Sequence, residues 1–157
     1  MIIKGVRDYD ISNFKIPCLF IAFPYCTFKC EKECGMQVCQ NSTLATSPNI
    51  DISTEKLIEI YDSNPLTKAV VMGGLEPFDS FEDILKFLSI FREKHNDVVV
   101  IYTGYNKGEI QKKIAELVPY KNIIVKYGRF IPNDTPRYDD ILGVELASHN
   151  QYAEVIC

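Results

Sequence analysis

The chain has 157 residues, a formal charge of −4, six cysteines and two histidines. At this length one domain buries roughly 70% of its unfolded surface, so folding needs no disulfides and the cysteines are free for chemistry. The acidic balance excludes a basic, phosphate-neutralising face for nucleic acid; no charged leader or bilayer-length apolar run is present, which points to a soluble, cytoplasmic protein whose thiols stay reduced.

The first element is an apolar run, Ile16 to Phe23, that reads as a buried strand. Directly after it, residues 24–41 hold Cys26, Cys30, Cys34 and Cys39, four of the six cysteines within fourteen positions. Such clustering fits a soft-ligand centre, since thiolates select zinc and iron-sulfur groups. Cys18, inside the strand, and Cys157, the last residue, read as bystanders. A helix follows from Thr54 to Tyr61 with Ser53 as its N-cap. Ala69 to Met72, apolar throughout and closed by Gly73-Gly74, reads as a strand buried on both faces.

From Ser80 to His95 the apolar residues Phe81, Ile84, Leu85, Leu88 and Phe91 recur at helical spacing, an aromatic-rich stripe that belongs to the core. Ser80 and Asp83 have the spacing of a capping box, and His95 is expected on a solvated helix end. Val98 to Tyr102 is the next strand, Lys107 to Leu117 the next helix and Asn122 to Val125 a further strand. Arg129 to Asp140, with two prolines, reads as a loop. The end, Ala147 to Cys157, fits a short edge strand.

Strand and helix therefore alternate in an α/β pattern that implies a parallel sheet with right-handed crossovers. A closed eight-stranded barrel takes about 250 residues, so this chain has room for an open or partial barrel only. Active residues of parallel architectures gather where strands end. Here those ends carry the cysteine loop, Gly73-Gly74 and Thr103-Gly104.

These residues carry a resemblance. Cys26-x3-Cys30 after the first strand, Gly74-Leu75-Glu76-Pro77 after the second and Tyr102-Thr-Gly-Tyr105 after the third resemble the radical S-adenosylmethionine (SAM) superfamily. Cys39-Gln-Asn41, Val125 to Ile131 and Ser148-His-Asn-Gln151 narrow the likeness to the activating enzymes of anaerobic, class III ribonucleotide reductases, over Pro17 to Val155. The resemblance implies a single radical SAM domain over 1–157 with a partial, open parallel β/α barrel. It implies a [4Fe-4S] cluster on three thiolates, an open iron that chelates S-adenosyl-L-methionine, and reductive cleavage to a 5′-deoxyadenosyl radical. The implied partners are a glycyl-radical reductase subunit and a flavodoxin- or ferredoxin-type electron donor. Gly73, Gly74, Glu76 and Thr103 would bind SAM, with Glu76 either a ligand or a structural anchor.

Two departures from the superfamily pattern stand out. The usual loop is Cys-x3-Cys-x2-Cys, whereas Cys30 is followed here by Cys34 and then Cys39. The Gln-Asn after Cys39 favours Cys26, Cys30 and Cys39 as ligands, with Cys34 the alternative third. Leu75 also stands where the family has a glycine, and Gly73 just before it can preserve the close backbone approach. Structural zinc is the competing use of four cysteines, although paired Cys-x2-Cys knuckles are missing. A Cys-His hydrolase is disfavoured because neither histidine lies near a cysteine-bearing strand end. His149, in the matched block, and Arg137, in the proline-rich loop, are candidate polar or anion contacts. The chain is too short to enclose a small substrate with an added domain, which suits a partner that inserts its own segment; a peptide or small metabolite is the alternative substrate.

Overall fold

The computed structural model describes residues 1–157. Its centre is a six-stranded mixed sheet built from β2 (Gly5–Asp10), β3 (Cys18–Phe23), β5 (Ala69–Gly74), β6 (Val98–Tyr102), β7 (Ile123–Tyr127) and β10 (Tyr152–Val155), in the order β10-β7-β6-β5-β3-β2. β3, β5, β6 and β7 run parallel. They read as continuous apolar runs because most of their residues are buried, on both faces of the sheet. β2 and β10 are antiparallel to their neighbours and form the two edges. The expected all-parallel sheet is thus a mixed one. The short segment Ile11–Pro17 between β2 and β3 cannot make the crossover that a parallel pairing needs.

The parallel strands join the sheet in chain order, linked by α3 (Thr54–Ser63), α4 (Phe81–Phe91) and α5 (Gln111–Leu117). Right-handed crossovers taken always in one direction put every helix on the same face. The larger core lies there, where Leu57, Ile84, Phe87 and Leu117 pack on Leu19, Met72 and Ile101. The opposite face is only partly covered. Phe14, from the segment between β2 and β3, covers Val71 and Val100 there together with Leu142 and Leu146, which the hairpin β8 (Arg137–Asp139) and β9 (Val144–Leu146) brings in. What the hairpin leaves uncovered is the cavity described below.

Several local expectations change. Ser80 makes no side-chain cap; a 3-10 turn, Pro77–Ser80, feeds directly into α4, and the Glu76 side chain caps that turn instead. His95 is only partly exposed. Its ring stacks on Phe91 at 4.8 Å, meets Tyr61 edge-on at 5.1 Å and lies 2.9 Å from Asp62. One turn beyond Phe91, it extends the aromatic stripe of the helix. Ser53 does cap α3, accepting the Lys56 amide at 3.1 Å. The helix expected from Lys107 begins as a 3-10 turn, with α5 following at Gln111. The small pairing of β1 (Ile2–Ile3) with β4 (Ile50–Asp51), α1 (Lys29–Cys34) and α2 (Ser42–Thr46) complete the fold.

Candidate functional site

The carboxyl ends of β3, β5 and β6 are tied together before any cofactor is considered. Beyond β3, the Tyr25 carbonyl accepts the Glu76 amide at 2.7 Å and the Phe23 carbonyl accepts the Leu75 amide at 3.3 Å. The start of the cysteine loop is thereby sewn to the turn after β5. Asp79 adds a second tie: its carboxylate accepts the Thr27 amide at 2.9 Å and the Tyr105 hydroxyl at 2.6 Å. One aspartate thus links the cysteine loop to the turn after β6.

Phe28 takes a left-handed backbone conformation, φ 52°, immediately before α1. That helix carries both Cys30 and Cys34. Lys29 anchors it to Glu109 at 3.0 Å, and Arg129 ties Glu109 (2.7 Å) to Glu33 (2.9 Å). After α1 the chain returns through Cys39, whose amide donates to Glu31 at 3.1 Å, to Asn41, whose side-chain amide donates to the Gly74 carbonyl at 2.6 Å.

Cys26, Cys30 and Cys39 line one cavity of about 650 Å³ together with Gly73, Gly74, Glu76 and Thr103. Cys34 does not line it. It faces a smaller pocket of about 210 Å³ shared with Cys30 and Arg129, and its thiol donates to the carbonyls of Met36 (3.4 Å) and Glu31 (3.7 Å). Cys18 is buried in β3, donating to the Asp10 carbonyl at 3.3 Å, and Cys157 sits by the Leu117 carbonyl; neither reaches the cavity. His149 is exposed and paired with Asp134, Arg137 is exposed on β8, and both lie outside the cavity lining.

The glycines have steric reasons. Gly74 has φ +84°, and a Cβ there would stand 2.9 Å from the Ala22 backbone. At Gly73 a Cβ would meet the Phe20 ring at 3.0 Å. The positive φ falls on Gly74 and not on Leu75, so the leucine in this turn carries no backbone strain. Above the turn, a Cβ on Gly104 would lie 3.7 Å from the Cys30 sulfur, which sets that thiol directly over the end of β6.

Glu76 is 5% exposed, and its carboxylate accepts Thr103 Oγ1 at 2.8 Å, the Gly104 amide at 2.8 Å and the Phe78 amide at 3.1 Å. Of the two roles open to it from sequence, its contacts are those of an anchor joining the turns after β5 and β6. Burial pushes its pKa up to about 7, against the lowering effect of the three donors. The Thr103 hydroxyl is spent in the same network, donating to Glu76 and accepting the Tyr105 amide at 3.0 Å.

Lys126, to which the sequence reading gave no role, also lines the cavity. It is buried in β7, donates to the Gly128 carbonyl at 3.1 Å, and desolvation brings its pKa down to about 8 while the charges of Glu76 and Cys30 oppose that fall. The signal was available: one charge in the otherwise apolar run Ile123-Ile-Val-Lys-Tyr127. A lysine is retained in such a place only with a partner or a task.

The donors suit an iron-sulfur group. The Phe28 amide donates to the Cys26 sulfur at 3.2 Å. Backbone N–H groups aimed at sulfur stabilise thiolates and tune cluster potentials. No three Cys, His, Asp or Glu side chains converge on a single metal position. A cubane asks for no such convergence, because each thiolate binds a different iron.

A family model described as a 4Fe-4S single cluster domain matches residues 16–151. The chain belongs to that family. The match runs from the start of β3 to just before β10, so both antiparallel edge strands lie outside it. No curated protein and no solved structure matches the chain. Membership of the 4Fe-4S single cluster domain family favours an iron-sulfur cluster over structural zinc as the use of the cysteine loop. No helix is long and apolar enough to cross a membrane.

Proposed function

We propose that this 4Fe-4S domain is a radical SAM enzyme of the activating type, an open partial β/α barrel that generates a glycyl radical on an anaerobic ribonucleoside-triphosphate reductase. The observation that carries the reading is that three thiols and the Gly73-Gly74 turn line one cavity, large enough for a cluster and a nucleoside-sized cofactor together. Cys26, Cys30 and Cys39 would hold the cluster, and the Gly73-Gly74 turn, where no Cβ stands in the way, would receive the methionine ammonium of SAM. Held by those three thiolates, a cluster would supply the electron for reductive cleavage of SAM, the chemistry that would generate a glycyl radical on the partner.

The chain's own residues position and enclose. The Glu76, Thr103 and Gly104 network holds the two strand-end turns in fixed relation, and Asp79 holds the cysteine loop against them. Lys126 places positive charge on the cavity wall, where the carboxylate of SAM would meet it. Singly wound helices on one face and an incompletely covered opposite face support the partial-barrel assignment. An open cavity mouth suits a protein substrate, and the electron would come from a flavodoxin- or ferredoxin-type donor.

The test is anaerobic mixing of the reconstituted, reduced protein and SAM with the host's glycyl-radical reductase, read by electron paramagnetic resonance. The expected result is the glycyl doublet. Its absence with an intact cluster and partner would favour a peptide or small-metabolite substrate, or a cluster domain without radical chemistry.

A further inference from the structure

Gly5, Val6 and Arg7 are successive residues of β2, and all three line the cavity. Successive side chains of a strand point to opposite faces. Gly5 and Arg7 stand opposite Ala22 and Phe20, which also line the cavity, so β2 bounds the cavity at the outer edge of the sheet. β2 is the last strand of the sheet, so that edge presents unpaired N–H and C=O groups.

The same holds for the hairpin. Val144 to Ala147, four successive residues, line the same cavity, and β9 pairs with β8 alone. Two free strand edges thus open on one space. Elsewhere the β2 edge is blunted: the ladder is irregular between Arg7 and Asp10, and the Asn64 side chain donates to the Asp8 carbonyl at 3.2 Å. The unprotected stretch is the one that faces the cavity.

Charge narrows the occupant. Among the charged residues of the lining, Arg7 is paired with Asp10, Glu31 accepts the Cys39 amide, Glu76 accepts three donors and Lys126 donates to Gly128. Glu145 is exposed and has neither an ion-pair nor a hydrogen-bond partner. The chain as a whole carries −4. A basic side chain on the incoming segment would meet this unpaired carboxylate.

We propose that the partner polypeptide enters as an extended strand, paired through its backbone with the free edge of β2 at Gly5–Arg7 and with that of β9 and the residue after it, Val144–Ala147, with a Lys or Arg set against Glu145. This deepens the substrate assignment above and rests on it. Backbone pairing supplies affinity without regard to side chains, and the cavity beyond the edges admits the reacting residue.

The test uses the reconstituted full chain and a synthetic peptide spanning the acceptor glycine of the host's reductase, in plain form and N-methylated at alternate residues. The plain peptide should protect the amides of residues 5–7 and 144–147 from hydrogen exchange. N-methylation, which removes strand hydrogen bonds and leaves side chains in place, should weaken binding at least about tenfold. E145K should weaken the plain peptide roughly threefold. Equal binding of the two peptides, or protection confined to other segments, would overturn the edge pairing while leaving the substrate reading intact. If neither peptide binds although SAM is still cleaved, the substrate assignment falls, and the inference with it.

Discussion

The side-chain amide of Asn41 donates to the Gly74 carbonyl at 2.6 Å, closing the cysteine loop onto the turn after β5. Two motifs 33 residues apart in sequence therefore meet at one carbonyl. Asn41→Ala should cost about 1 kcal/mol in urea denaturation of the metal-free protein. It should also raise hydrogen exchange in residues 40–44, which lie between the Cys39 amide held by Glu31 and the Ala45 carbonyl held by Lys4. Unchanged exchange there would show that the loop is held by other means.

The four loop cysteines should separate in iron and sulfide analysis after anaerobic reconstitution. Cys26→Ala, Cys30→Ala and Cys39→Ala are expected to lose the cluster, and Cys34→Ala to keep most of it. Cys34 lies outside the cavity, its thiol turned to the carbonyls of Glu31 and Met36. Loss with Cys34→Ala and retention with Cys39→Ala would reverse the assignment.

The adjacent glycines should differ in cost. Gly74→Ala forces a side chain into φ +84° against the Ala22 backbone, which cannot give way, and should destabilise by about 2–3 kcal/mol. Gly73→Ala meets only the edge of the Phe20 ring, which can tilt, and should cost about 1 kcal/mol. Urea midpoints of the two variants give the order.

Glu76 should leave a signature in the pH dependence of stability. Its folded pKa, about 7, lies above the ordinary 4.5, so the folded state holds a proton that the unfolded chain releases. The contribution is fully present below about 4.5 and is lost as pH rises through about 7. Lys126 has the opposite sign, its pKa being depressed to about 8 from 10.5, and acts only above that window. Glu76→Gln should therefore flatten the fall in stability of the metal-free protein between pH 4.5 and 7. An unaltered slope in urea titrations across that range would refute the assignment.

The central strands could be read from sequence because burial on both faces leaves an unbroken apolar run, as in Ala69 to Met72 and Val98 to Tyr102. β2 could not. Val6 to Tyr9 are exposed in succession on an edge strand, so Gly5-Val-Arg-Asp-Tyr-Asp10 shows neither apolar continuity nor alternation. β8 hid for a similar reason, since its residues follow prolines and polar turn formers. The rim of the site was visible in Gly73-Gly74 and Thr103-Gly104, which end buried strands. Its wiring was not, because the choice of Glu76 as a cap in place of Ser80 depends on a 3-10 turn that spacing does not encode. His95 and Lys126 were both signalled, the first by continuing the helix stripe after Phe91, the second by breaking an apolar strand.

The central claim is that this cluster domain performs radical SAM chemistry, and cleavage of the cofactor tests it most directly. The anaerobically reconstituted protein should be reduced, given S-adenosyl-L-methionine, and assayed for 5′-deoxyadenosine and methionine, with Cys30→Ala as the control. The account predicts both products in equal amounts from the native chain and neither from the control. A cluster-loaded, reduced sample that binds S-adenosyl-L-methionine but forms no 5′-deoxyadenosine, even with the glycyl-radical reductase present, would contradict it.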